Sequence, residues 1–386
     1  MIPVLLFWLS LAAIVYTFAG YPLALSILSV VRPRPWLQQS CEPVMSVVIS
    51  AYNEADRIGT KIHNVLALEY PEDRLEILVG SDGSTDGTAE ELLSISDKRV
   101  RAFIFTQRRG KPAVLNTLVP KARGEIVVLC DVRQKIESNA LRAFARSFAD
   151  PTIGAVSGEV TLVPPATTAV SEGTGFYWRY ETFIRSRESR IDSTVGVTGN
   201  LNAIRKTLFE TIPPDTILDD VLLPLRITRR GYRVVVEREA RAVDTAFAAA
   251  RQEFTRKVRT IAGNFQLFGR ERWLLNPFRN RLWWQTISHK VLRLLVAPLQ
   301  VVLLVSNVAA LSTSPLYKAA LVGQIFFYGA AIAACVLPRN RKKSFLVTLP
   351  FFLCLLSWTT VVAFFRSIAG GQPVTWQKAT GNGIPS

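Results

Sequence analysis

The chain has 386 residues and a formal charge of +16 at neutral pH, long enough for one large catalytic domain with added membrane segments or for two ordinary soluble domains. Such a charge on a soluble protein raises nucleic acid as a partner, but no nucleic-acid-binding module accompanies it, and none is expected as a partner. Much of the excess, at Arg279, Arg281, Lys290, Arg293, Arg339, Arg341, Lys342 and Lys343, stands beside apolar stretches, as in cytoplasmic loops and headgroup contacts, while Cys41, Cys130, Cys335 and Cys354 lack any metal-ligand spacing and fit a reduced compartment.

Residues Ile2 to Val31 form an uncharged apolar run, longer than the ~20 residues needed to cross a bilayer. A cleaved signal peptide has a basic leader and a shorter apolar core. This run has neither, so residues 1–31 are expected to be a retained transmembrane anchor. The first acidic residue is Glu42 and the last is Glu271, so chemistry that needs a carboxylate lies between them.

From Val44, short apolar strands alternate with helical stretches. The strands read MSVVIS, LEILVG, VRAFIF, EIVVLC and IGAVSG; the helices fall near Arg57 to Leu68, Thr88 to Ile95, Lys111 to Ala122 and Glu137 to Phe148. This alternation predicts an α/β domain with a mainly parallel sheet covered by helices, in which ligands bind beyond the carboxyl ends of the strands. Beyond the first strand stand Tyr52, Asn53 and Glu54, beyond the second Asp82 and Asp86, and beyond EIVVLC Asp131. Asp86, ahead of Gly87 and Thr88, is explained as a helix cap. Polar groups after three strands of one sheet form a pocket rim. Further along, Asp219 and Asp220 open a helix that ends near Gly231, and carboxylates in a first turn are favourable with or without a catalytic role.

The stretch FRNRLWWQTISHK, within residues 273–293, mixes aromatic and basic residues as an interfacial amphipathic segment does; an internal domain helix is the alternative. Three apolar spans follow over residues 294–366: about Leu294 to Ser312, Tyr317 to Leu337 and Phe345 to Phe365. Pro298 and Arg293 leave a re-entrant first segment open. The basic linker Pro338 to Ser344 and the pair Arg32 and Arg34 are expected on the cytoplasmic side of a cell membrane, which puts residues 32–272 there too, with a tail over 367–386.

At these residues the chain resembles family 2 of the inverting, nucleotide-sugar-dependent glycosyltransferases, the group of the cellulose, chitin, hyaluronan and poly-N-acetylglucosamine synthases. The resemblance runs from about Val44 to Gly269 and rests on the order of VVISAYNE, VGSDGSTDGT, GKPAVLN, GEIVVLCD, VTGNLNAIRK, ILDDVLLPLRITRRGYR and RKVRTIAGN. It implies a Rossmann-like catalytic domain of the GT-A type with helical transmembrane segments. It further implies inverting transfer from a nucleotide diphosphate sugar, a UDP-sugar, to a growing cell-surface polysaccharide in a bacterial inner membrane.

Residue by residue, Tyr52 and Glu54 resemble the family's holders of the nucleotide base, and Asp82 its nucleotide-contacting acid. Lys111 falls where a cation offsets phosphate charge, or is a solvated residue at a helix start. The metal motif keeps Asp131 but has Arg133 in place of its second acid. Mg2+ or Mn2+ is still expected at Asp131, because donor phosphates and water fill most of an octahedral shell; Arg133 touches a phosphate or points to solvent. The general base falls at Asp220, with Asp219, Gly199 and Asn200 on the acceptor side and Arg205 following. In the last motif Arg259 matches and suits diphosphate, whereas Arg256 replaces a Gln and Thr260 a Trp, which removes an aromatic platform for a processive acceptor. Membrane lipids and a glycan or lipid-linked acceptor are implied partners, and four spans are few for a wide sugar channel, so export calls for a partner or a second copy. Two rival readings stay open: transfer of a single sugar to a lipid-linked acceptor, and a non-catalytic membrane scaffold.

Overall fold

The computed structural model describes residues 1–163, 169–245, 250–336 and 345–370; the linker Pro338 to Ser344 and the tail beyond residue 370 lie outside the described residues. The chain divides into two compact units, one built from residues 33–163 and 185–245, the other from residues 1–32, 169–184, 250–336 and 345–370.

The first unit is an eight-stranded mixed sheet. Its strands are β1 (Met45–Ala51), β2 (Leu75–Asp82), β3 (Val100–Phe105), β4 (Ile126–Cys130), β5 (Lys135–Ile136), β6 (Ile153–Val163), β7 (Leu201–Arg205) and β8 (Arg233–Thr245), in the order β3-β2-β1-β4-β7-β6-β8-β5. The pairs β1–β2, β1–β4, β2–β3 and β6–β8 are parallel, and β7 runs antiparallel to both β4 and β6. Central strands β1, β2 and β4 are buried almost throughout, as parallel strands covered on both faces must be, which is why they read as apolar runs rather than as alternations. Besides Asp82 at its end, β2 carries a second buried carboxylate, Glu76. It accepts a bond from Ser46 Oγ at 2.6 Å, from Arg101 Nη1 at 3.3 Å and from the backbone of Arg123, so this charge is stitched to its neighbours rather than left bare.

The parallel register aligns Ala51 with Ser81 and Ile49 with Cys130. The carboxyl ends of β1, β2 and β4 therefore come out at one edge of the sheet. The reversal into β7 matters as much, because Cys130 pairs with Leu201 and the turn ahead of β7 is thereby held beside the end of β4. Arg205, at the far end of β7, spends its guanidinium on the carbonyls of Phe148, Asp150 and Ile153, a fastening of the sheet.

Among its described residues the second unit holds four helices long and apolar enough to cross a membrane: Ile2–Val31, Trp283–Ala309, Pro315–Ala334 and Leu346–Ile368. Leu5, Leu9, Val301, Val305, Phe326 and Ile332 stand exposed along them, a surface suited to lipid and costly in water. The helix from Trp283 runs on through Pro298 without a break, so its start lies ahead of the expected Leu294 and takes in the second half of the aromatic-basic stretch. Phe7, Ala310 and Tyr317 form one packing cluster of this unit. A second joins Val258 and Ala262, on the helix Ala250–Arg270, to Ala363.

Candidate active site

Three sheet ends supply the site. After β1, Asn53 takes the left-handed conformation with φ 53°, uncommon for a residue with a side chain and most tolerable for Asn. It is held there by two bonds, since its side-chain Oδ1 accepts from Thr85 N at 2.8 Å and its backbone N–H donates to Ser84 Oγ at 3.1 Å. Glu54 is buried, its N–H donates to Thr88 Oγ1 at 2.9 Å, and its carboxylate faces Arg57 Nη1 at 3.6 Å. Asp86 is not the cap expected of it, since Gly87 holds the N-cap position of the helix Thr88–Leu93; it accepts from Thr88 N and from Ala55 N, each at 3.2 Å, and so ties two helix starts together.

After β2, Asp82 is buried and accepts from the backbone N–H groups of Arg109 and Gly110, both at 2.8 Å. It thus pins the loop ahead of the helix Lys111–Leu118. Gly83 sits beneath that loop at φ +66°, where an added Cβ would lie 2.5 Å from Arg108 N. The pinned loop lays the guanidinium of Arg108 over the ring of Tyr52, 3.6 Å from its centroid, a cation–π contact. Sequence reasoning did not find Arg108. Its place depends on the loop that Asp82 fixes.

At the end of β4, Asp131 Oδ1 lies 2.8 Å from Lys111 Nζ, which also donates to Gly199 O at 3.0 Å and stands 4.0 Å from Asp219 Oδ2. Burial opposes the charge on Lys111, but the carboxylates of Asp131 and Asp219 outweigh it and hold the ammonium pKa above its ordinary value. Asp131 N donates to Asn200 O at 3.4 Å. Asp219 and Asp220 occupy the first turn of the helix Asp219–Arg229, and the carbonyl of Asp220 accepts from Val197 N at 3.0 Å. A Cβ built on Gly199 would come within 2.7 Å of Asp220 Oδ2, so glycine is what lets the carboxylate lie against this backbone.

Tyr52, Glu54, Asp82, Lys111, Asp131, Gly199, Asn200, Asp219 and Asp220 thus belong to one unit and to the carboxyl-end loops of its sheet. Arg259 belongs to the other, on the helix Ala250–Arg270. Arg133 neither reaches outward nor stands alone, because its Nη2 pairs with the buried Asp244 at 2.6 Å, as Gln134 does at 2.8 Å. Among the described residues no cluster of three or more His, Cys, Asp or Glu forms a ready metal cage. What the donor set offers is the single carboxylate of Asp131, with Lys111 on one oxygen, which fits an ion whose other positions are filled by phosphate and water.

Residues 46–212 match the family model described as glycosyl transferase family 2. The chain carries a family 2 glycosyltransferase domain. This domain is similar to the poly-beta-1,6-N-acetyl-D-glucosamine synthase of Staphylococcus aureus, 26% identical over 198 residues that cover 50% of this chain and 48% of that protein. It is also similar to the beta-monoglucosyldiacylglycerol synthase of Synechocystis, 24% identical over 199 residues, 50% of this chain and 42% of that one. The chain spans about half the length of the curated relatives it matches. Among solved structures, the mannosyltransferase from Pyrobaculum calidifontis in complex with GDP-Man and Mn2+ superposes with a TM-score of 0.70 at 24% identity, over 94% of this chain and 99% of that one. The glycosyltransferase domain therefore has the GT-A fold, with which its mixed, mainly parallel sheet agrees.

Proposed function

We propose that the chain transfers a sugar with inversion from a nucleotide diphosphate sugar, a UDP-sugar, to a growing cell-surface polysaccharide, with residues 32–272 on the cytoplasmic side. The observation that carries this reading is the Lys111 ammonium set between Asp131 and Asp219, one residue from Asp220, where strand ends converge as a nucleotide site of an α/β sheet demands. Tyr52 and Glu54 seat the base. Asp82 acts on the nucleotide through the loop that it pins, a positioning role. Lys111 offsets phosphate charge, with Arg259 as a second diphosphate ligand.

When bound, Mg2+ or Mn2+ would neutralise charge on the departing diphosphate, and Asp131 is the carboxylate to hold it. Asp220 takes the proton of the acceptor hydroxyl as its oxygen attacks the anomeric carbon and the bond to the diphosphate breaks on the opposite face. Gly199, Asn200 and Asp219 line the acceptor side. The relatives' names support both a glycan and a lipid as acceptor. Thr260, where an aromatic platform would otherwise stand, is the feature that keeps the lipid acceptor as a second reading.

The test is a pair of single variants. Asp220→Asn keeps size but cannot accept a proton, so turnover is expected to fall ~10²-fold or more with donor affinity nearly unchanged, and Asp219→Asn is expected to cost less. Near-normal turnover in a folded Asp220→Asn enzyme sinks the mechanism.

A further inference from the structure

Within the unit of apolar helices lies a charged cluster for which the transfer chemistry has no use. Glu181, on the helix Ala169–Ile191, is buried and has both oxygens taken: Oε1 by Arg293 Nη1 and Oε2 by His289 Nε2 at 3.0 Å. Arg293 Nη1 also reaches Tyr177 OH at 3.4 Å. The other edge of that guanidinium, Nε and Nη2, is buried and has no acceptor among the described residues. Over the ring of the same tyrosine, Lys257 Nζ lies 4.7 Å from its centroid and 4.7 Å from that of Phe352. Two cations thus meet one tyrosine, Arg293 at its hydroxyl and Lys257 at its ring, and both oxygens of the nearby Glu181 are taken.

The depth of the cluster indicates what satisfies it. Arg293 is the last charged residue before an uncharged run from Leu294 to Tyr317, and Trp283 and Trp284 open the same helix. Aromatic residues at a span's end mark the headgroup layer, where the abundant anion is lipid phosphate. A planar guanidinium with a free edge matches phosphate oxygens in paired fashion, and a lysine nearby adds a point charge. Ionisable groups kept at this depth mark function more often than packing.

We propose that Arg293 and Lys257 hold the phosphate ester of an anionic lipid where the uncharged run from Leu294 to Tyr317 begins. Two sources share that chemistry, a bilayer phospholipid and a polyprenyl phosphate. The inference is independent of the transfer reaction, because lipid binding is read without donor and either reading can fail alone.

The experiment is native mass spectrometry of the full chain in neutral detergent, titrated in turn with phosphatidylglycerol, a polyprenyl monophosphate, diacylglycerol and polyprenol. The phosphate-bearing lipids are expected to bind about tenfold or more tightly than their neutral counterparts, the scale of a charge-assisted hydrogen-bond pair. Preference for the monophosphate assigns the site to a polyprenyl phosphate; equal or tighter binding of phosphatidylglycerol assigns it to the bilayer. Arg293→Gln is expected to erase the advantage. Since that change leaves Glu181 short of a partner, Lys257→Gln, which leaves the Glu181 pairings in place, is run beside it and is expected to lower the advantage too. Phosphate lipids binding no tighter than neutral ones, or an undiminished advantage in a folded Lys257→Gln chain, overturns the proposal.

Discussion

Gly199 and Asp220 show how little separates a proposed base from an idle carboxylate. With the Cβ position of Gly199 2.7 Å from Asp220 Oδ2, Gly199→Ala forces the carboxylate to move by some tenths of an ångström or more. Misplacement on this scale erodes the gain from holding reactants in line. In the proposed mechanism turnover is expected to drop ~10-fold or more, with donor affinity within a factor of about two and little change in melting temperature. Steady-state kinetics beside donor titration separate this from a folding defect. Most single residues of the site were legible as motif positions, because catalytic and ligand-binding side chains sit at strand ends whatever the rest of the sequence does. Arg108 and Asp244 were not. The first depends on a loop conformation, the second on β8 being laid beside β5, and neither leaves a local signal in composition or spacing.

At the scale of elements, the strands written as MSVVIS, LEILVG, VRAFIF and EIVVLC stand as β1 to β4, and the helix expected from Lys111 begins there. Buried parallel strands announce themselves because both faces are apolar. β7 and β8 passed unnoticed for opposite reasons. LNAIR is only five residues long and follows a turn, whereas RVVVEREARAVDT carries Arg233, Glu237, Arg238, Glu239 and Arg241 within its run, so neither period nor apolarity flags it. The connection after β2 makes a prediction of its own. Gly83→Ala places a side chain at positive φ and against the backbone of Arg108, at a cost of about 1–3 kcal/mol. The expected result is a lower melting temperature of the purified chain and weaker nucleotide binding, the loop no longer lying where Asp82 pins it; unchanged values for both would mean that the turn relaxes freely.

For the whole molecule, hydropathy and length were enough to count four candidate spans. They were not enough to show that residues 169–184 and the helix Ala250–Arg270 belong to the unit of apolar helices, since Arg256, Lys257, Arg259 and Arg270 give that helix the charge density of a soluble one. Packing of Val258 and Ala262 on Ala363 decides it. Orientation follows from charge: the basic linker resists translocation, so cysteines placed at Ser344 are expected to escape a membrane-impermeant reagent added to intact cells, while those placed at Ser314 react. The reverse pattern would turn the proposed topology inside out.

The guanidinium lying on Tyr52 has a thermodynamic consequence. An aromatic face already covered at 3.6 Å is a face largely dry before any nucleotide arrives. If the base stacks on that ring, wild-type binding removes little new apolar area from water, and its heat-capacity change is correspondingly shallow. Arg108→Ala leaves the ring wet in the free protein, so titration calorimetry of nucleoside diphosphate at several temperatures is expected to give a more negative heat-capacity change in the variant than in the wild type. An equal slope would mean that the base does not stack on the face of Tyr52 that Arg108 covers.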